Sequence, residues 1–163
     1  MSHDTATKPT GRLWTVDFVL DLLIAHFLFV SYASLHTIIP LYVLDRGGQE
    51  WQIGVVIGSS GVLSLLLRPF AGRWVYRLGG KRVAFAGAGI VAVASLLYIP
   101  AFNVWWLIPV RMLGGCGIAM GPVATSTIVA NLAPAARRGE ALAYMGNSIA
   151  VATLYAPVVS FFL

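Results

Sequence analysis

The sequence predicts an all-α fold, a polytopic transmembrane helix bundle of five spans, and three observations carry that reading. Hydrophobic residues make up 58% of the 163 residues and charged ones only 10%, with a mean hydropathy of +0.82, outside the range of soluble domains. The apolar residues fall in runs of about twenty, each long enough to cross roughly 30 Å of hydrocarbon at about 1.5 Å per residue. Each run also far exceeds the roughly ten alternating residues of a membrane barrel strand, so the spans are helices. Length therefore counts spans here, not domains.

Residues 1–12 form a polar tail with Asp4, Lys8 and Pro9, lacking the apolar core and small-residue cleavage site of a secretory signal. The bundle occupies 13–163. Its first span runs over about 18–42, longer than the core of a signal peptide, and stays in the membrane. Leu44-Asp45-Arg46-Gly47-Gly48-Gln49-Glu50 ends it with charges and glycines. The second span, about 51–75, leads into a basic turn, and the third covers about 83–102. The fourth covers about 105–132, Pro134-Ala135-Ala136-Arg137-Arg138-Gly139-Glu140 breaks the pattern, and the fifth covers about 141–163. Pro40, Pro100, Pro109, Pro122 and Pro157 mark expected bends.

Cations set the orientation, because cytoplasmic loops retain Lys and Arg during insertion. Lys8, Arg12, Arg73, Arg77, Lys81, Arg82, Arg137 and Arg138 fall on one side of this threading and only Arg46 on the other. The N-terminus is expected in the cytoplasm, the multi-pass chain in the cell (plasma or inner) membrane, and the lipid bilayer as its first partner. Trp51, Trp105, Trp106 and Tyr42 then sit near the outer headgroups, where amphipathic rings prefer to lie.

Other classes lose support. The net charge of +5 comes from residues at the ends of apolar runs, with no aromatic-interleaved basic face for nucleic acid. His3, His26, His36 and Cys116 offer neither metal-ligand spacing nor a nucleophile constellation, so neither a metal nor an enzyme is expected. No phosphate-cradling Gly-x-x-x-x-Gly-Lys-Ser/Thr loop is present, and no cofactor is expected. Cys116 is single and makes no internal disulfide.

Charge retention alone does not require the glycines of the basic turn. Gly72, Arg77, Gly79, Lys81 and Arg82 follow the pattern Gly-x-x-x-Asp-Arg-x-Gly-x-Arg/Lys-Arg/Lys, with Tyr76 in place of the acid. This resembles the loop signature between the second and third helices of the major facilitator superfamily. The stretch from Arg111 through Gly114, Gly115, Gly117 and Ala119 is similar to the family's Arg-x-x-Gln-Gly-x-Gly-x-Ala, with Gly114 where Gln is usual. In the fifth helix Pro157 matches the Gly-Pro of the family's proton antiporters, while Ala152, Ala156, Ser160 and Phe161 replace its glycines.

The resemblance implies the N-terminal six-helix half of that fold, covering helices one to five. It further implies two halves built from inverted three-helix repeats, enclosing a solute at mid-membrane. Five spans supply one wall only. The expectation is a secondary active transporter of a small solute, with proton-coupled efflux as its possible form, present as a truncated N-terminal part. It would need a small-molecule substrate and the missing C-terminal half or a partner chain. The alternative is a non-transporting membrane subunit that assembles through small-residue helix faces. In the family the acid at the position of Tyr76 joins a charge network to the other half, so that latch is not expected here.

Polar residues inside the spans are the site candidates, because an unpaired charge in hydrocarbon is expensive. Arg111 either faces an interior partner or snorkels outward. Asp21 is a candidate proton-carrying carboxylate, against the plainer role of a rim ion pair. The first helix ascends while the fourth descends, leaving Asp21 and Arg111 a vertical gap on the order of 15 Å, too far for an ion pair. Tyr32 and His36 lie nearer the level of Arg111, and His36 titrates close enough to physiological pH for proton coupling. His26 is the weaker histidine candidate. Gly115, Gly117, Ala119 and Pro157 are read as helix-packing residues.

Overall fold

The computed structural model describes residues 13–100 and 103–162. The N-terminal tail, with Lys8 and Arg12, and residues 101, 102 and 163 lie outside the described residues. Five α-helices follow in order: α1 (Val16–Asp45), α2 (Glu50–Leu78), α3 (Gly80–Leu96), α4 (Leu107–Leu132) and α5 (Arg138–Phe162). Short 3-10 turns at Val104–Trp106 and Ala135–Arg137 precede α4 and α5. Among the described residues there is no strand.

The helix ends follow from capping chemistry. Thr15 caps α1 by accepting the Phe18 amide at 3.3 Å, leaving Asp17 in the first turn, where negative charge suits the helix dipole. Gln49 and Gln52 form a reciprocal cap on α2, with the Gln49 amide donating to Gln52 Oε1 at 2.8 Å. Both helices extend past their apolar runs, because backbone hydrogen bonding continues through Asp45 and Arg77 where hydropathy stops. The helix of α3 behaves differently. It begins in the basic turn and stops at Leu96, because Pro100 restricts the residue before it and forces the chain into turns.

α1, α2, and the segments carrying α4 and α5 are long and apolar enough to cross a membrane. α3 is shorter, at 17 residues. α4 is the central helix, packed most extensively on α2 and α3 and also touching α1 and α5, while α1 pairs chiefly with α5. Phe18, wholly buried, anchors the α1–α5 base against Val129, Ala141 and Met145.

Of the basic-turn motif, Gly72 and Arg77 belong to α2, Gly79 alone separates the helices, and Lys81 and Arg82 open α3. Gly79 adopts φ +89° and ψ 146°, a region open almost only to glycine. Gly79→Ala is therefore expected to cost about 1–3 kcal/mol, measurable as an earlier unfolding midpoint in a detergent–SDS titration followed by circular dichroism. Gly72, in contrast, faces open space, and Tyr76 is 93% exposed. At the end of the bundle opposite this turn, the rings of Trp51 and Trp105 lie 5.9 Å apart.

Candidate functional site

α4 carries the least expected side chain of the bundle. Arg111 is 2% exposed in a helix whose other residues are uncharged, and its Nε and Nη2 have no hydrogen-bond partner. Its guanidinium stands over the ring of Tyr32, 5.6 Å from the centroid. Tyr32 in turn meets His36 edge-on at 4.5 Å, and the Nε2 of His36 is buried without a partner. The depth argument thus agrees with the structure in bringing Arg111 to the level of Tyr32 and His36, where it stands as a cation over an aromatic face. Tyr98, from the turn after α3, joins them, and the space these side chains enclose is only about 10 Å³. The place holds a charge, not a solute.

Asp21 occupies a second location. Its side chain is buried, Oδ2 has no partner, and it lines a cavity of about 240 Å³ between α1 and α3. Asp17 and Lys81 stand at the same cavity, with Ile24, Phe85 and Ile128 on its apolar wall. Ile128 is about 25 Å along α4 from Arg111 at roughly 1.5 Å per residue, so Asp21 and Arg111 belong to different ends of the bundle. Among the described residues the one ion pair is Arg137 with Glu140, at 2.7 Å.

A third polar group joins α1 to α5. The Nδ1 of His26 lies 2.9 Å from the Ser148 carbonyl oxygen and 3.2 Å from its hydroxyl, and Nε2 lies 2.6 Å from the Tyr155 hydroxyl. Sequence reasoning ranked His26 below His36. No local spacing relates residues so far apart in the chain, and only the pairing of α1 with α5 brings them together.

The packing candidates sit where helices meet. A Cβ on Gly115 would stand 2.6 Å from the Ser60 carbonyl oxygen of α2, and one on Gly117 would stand 2.7 Å from the Gly87 carbonyl oxygen of α3. Ala119 is buried beside them. Pro157 lies within α5, next to the wholly buried Ala156. Among the described residues no three His, Cys, Asp or Glu side chains come together as a metal cluster would require.

Five helices, a glycine hinge between α2 and α3, and a buried Arg above a glycine-rich stripe in α4 are the features the sequence motifs require. The sequence profile of the Major Facilitator Superfamily matches residues 9–163. The chain belongs to this family. Among relatives of this major facilitator chain, Multidrug resistance protein 2 of Bacillus subtilis (strain 168) is 26% identical over 135 residues, 80% of this chain and 33% of the relative. Multidrug resistance protein 1 of the same organism is 27% identical over 141 residues, 83% of this chain and 36% of the relative. Quinolone resistance protein NorA of Staphylococcus aureus is 20% identical over 136 residues, 83% of this chain and 35% of the relative. The chain spans about a third of the length of the relatives it matches.

Proposed function

We propose that this major facilitator chain is the N-terminal part of a secondary active transporter that exports small amphipathic solutes at the expense of a proton gradient. The observation that carries the reading is Arg111, almost wholly buried in an otherwise uncharged helix with two donor nitrogens unpartnered. A charge kept in hydrocarbon at a cost of a few kcal/mol or more is retained for what it binds, not for stability. The multidrug and quinolone resistance names of the relatives support a drug-like solute.

In this reading Asp21 is the proton-carrying carboxylate and Arg111, with Tyr32 and His36, the fixed charge that its state is read against. The Asp21 cavity, about 240 Å³, falls below the range of about 300–1,000 Å³ for drug-sized sites, so the solute rests partly on a second wall. That wall is the C-terminal half of the fold. α3 serves as a fifth crossing: its 17 residues rise about 25 Å, at the short end of what spans a bilayer. The basic turn, with Arg73, Arg77, Lys81 and Arg82, lies in the cytoplasm with the N-terminus, and the bundle crosses the cell membrane. The driving force is an ion gradient, and no bond of the solute is broken.

The test is accumulation. Expressed from its intact reading frame in a bacterium lacking its own drug exporters, the protein should lower the steady-state content of a fluorescent lipophilic cation several-fold. A protonophore should abolish the difference. Equal accumulation with and without the protein overturns the proposal, and export that survives the protonophore overturns its proton coupling.

A further inference from the structure

The seam between α1 and α5 holds a titratable ring whose hydrogen-bonding partners are all on the opposite helix. Ser148 and Tyr155 lie two turns apart on one face of α5, and His26 of α1 reaches both. We propose that His26 is a proton-binding site of this bundle, holding one hydrogen permanently on Nδ1 and taking up a second on Nε2 against the Tyr155 hydroxyl.

The chemistry of the partners sets the tautomer. A carbonyl oxygen only accepts, so the nitrogen 2.9 Å from the Ser148 carbonyl carries the hydrogen. In the neutral ring Nε2 is then the bare nitrogen, and the Tyr155 hydroxyl, 2.6 Å away, donates to it. Uptake of a proton forms one N–H bond at Nε2 and breaks none. The new N–H donates to the Tyr155 oxygen, and the hydroxyl hydrogen turns away from the ring. Every contact survives, and the neutral bond at Nε2 becomes a charge-assisted one, roughly twice as strong.

His26, Ser148 and Tyr155 are half-buried. The surrounding ionisable groups are engaged elsewhere. On α5, Tyr144 packs against Trp14 and Glu140 pairs with Arg137. On α4, Arg111 stands over Tyr32, and Cys116 is half-buried. The ionisable groups of α2 are Glu50, Arg68, Arg73, Tyr76 and Arg77, none of them hydrogen-bonded to His26 among the described residues. On α1 itself, Asp21 faces the α3 cavity and His36 meets Tyr32. Tyr155 is the titratable group that touches the ring. The site concerns the proton alone, so it stands or falls separately from any exported solute.

The experiment is NMR of the whole chain in lipid nanodiscs, labelled with nitrogen-15 at histidine and carbon-13 at the tyrosine ring, with His3→Ala and His36→Gln variants to assign the His26 signals and Tyr155→Phe to assign those of Tyr155. Between about pH 8 and about pH 5, the range in which imidazoles titrate, two results are expected. The neutral ring carries its hydrogen on Nδ1, the opposite of the form an imidazole favours in water, and the Tyr155 ring shifts in the same step in which Nε2 gains its proton. In Tyr155→Phe the hydrogen stays on Nδ1 while the Nε2 signal moves. In Ser148→Ala, which keeps the carbonyl, the tautomer is unchanged. A neutral ring protonated on Nε2, or a ring that stays neutral across the range, overturns the proposal. So does a Tyr155 signal indifferent to the titration. Should a variant misfold, the wild-type tautomer and the coupled Tyr155 shift decide alone.

Discussion

In the complete transporter proposed above, Arg111→Met is expected to abolish the proposed proton-driven export, lowering it at least 100-fold, while leaving the thermal stability of the bundle unchanged or higher. The two effects have opposite signs because the guanidinium is a liability to the fold. It is 2% exposed, its Nε and Nη2 donors are unpartnered, and desolvating such a charge costs several kcal/mol. Methionine fills the same unbranched volume without donors, and replacing buried ions by apolar residues is often neutral or stabilising. What the bundle loses is the cation over Tyr32, worth about 0.5–2 kcal/mol, together with the polar approach of the guanidinium to Tyr98, losses of the same order as the relieved desolvation or smaller. Arg111→Lys keeps the charge but not the planar fork, and should retain partial export. The measurements are protonophore-sensitive export and the melting temperature of the purified protein. A large fall in melting temperature with Arg111→Met would mean that Arg111 is a structural strut, and normal export would remove it from the mechanism.

The same residue shows what the sequence discloses and where it stops. A single charge inside an apolar run is visible to anyone counting residues, and antiparallel depth is enough to place Arg111 near Tyr32 and His36. Depth says nothing about azimuth, so the meeting through the ring face, and the arrival of Tyr98 from the turn after α3, needed the structure. Asp21 was legible as a polar residue one turn inside α1, but its cavity is made by Lys81 and Phe85 of another helix. His26 was undervalued for the same reason: its partners lie on α5, and a hydropathy profile carries no information on which spans are neighbours. Helix existence was plain from apolar runs. Helix ends were not, because caps such as Thr15 and the Gln49–Gln52 pair extend or stop a helix independently of hydropathy.

Gly115→Val is expected to prevent assembly of the bundle, giving aggregated protein in size exclusion in detergent under conditions where the parent is expected to elute as a single species. In lipid no hydrophobic effect draws helices together, so association depends on close van der Waals approach, and small residues set how near two backbones come. At Gly115 the nearest atoms to an added Cβ are Ser60 O at 2.6 Å, Cα at 3.1 Å and C at 3.2 Å, all backbone of α2. No side chain can rotate away, so α2 must retreat along its contact with α4. That retreat exceeds the usual 1–3 kcal/mol, about the cost of overpacking in a core that can adjust. Gly117, two positions on, repeats the arrangement toward α3, with the Gly87 carbonyl oxygen at 2.7 Å. The two glycines therefore hold α4 against different neighbours. Gly58→Ala is the matched control: a Cβ there meets nothing within 4 Å, and alanine should add about 0.5–1 kcal/mol through helix propensity. If Gly115→Val elutes and melts like the parent, the α2–α4 approach is looser than 2.6 Å implies, and the glycine of the motif matters for movement of α4 rather than for its packing.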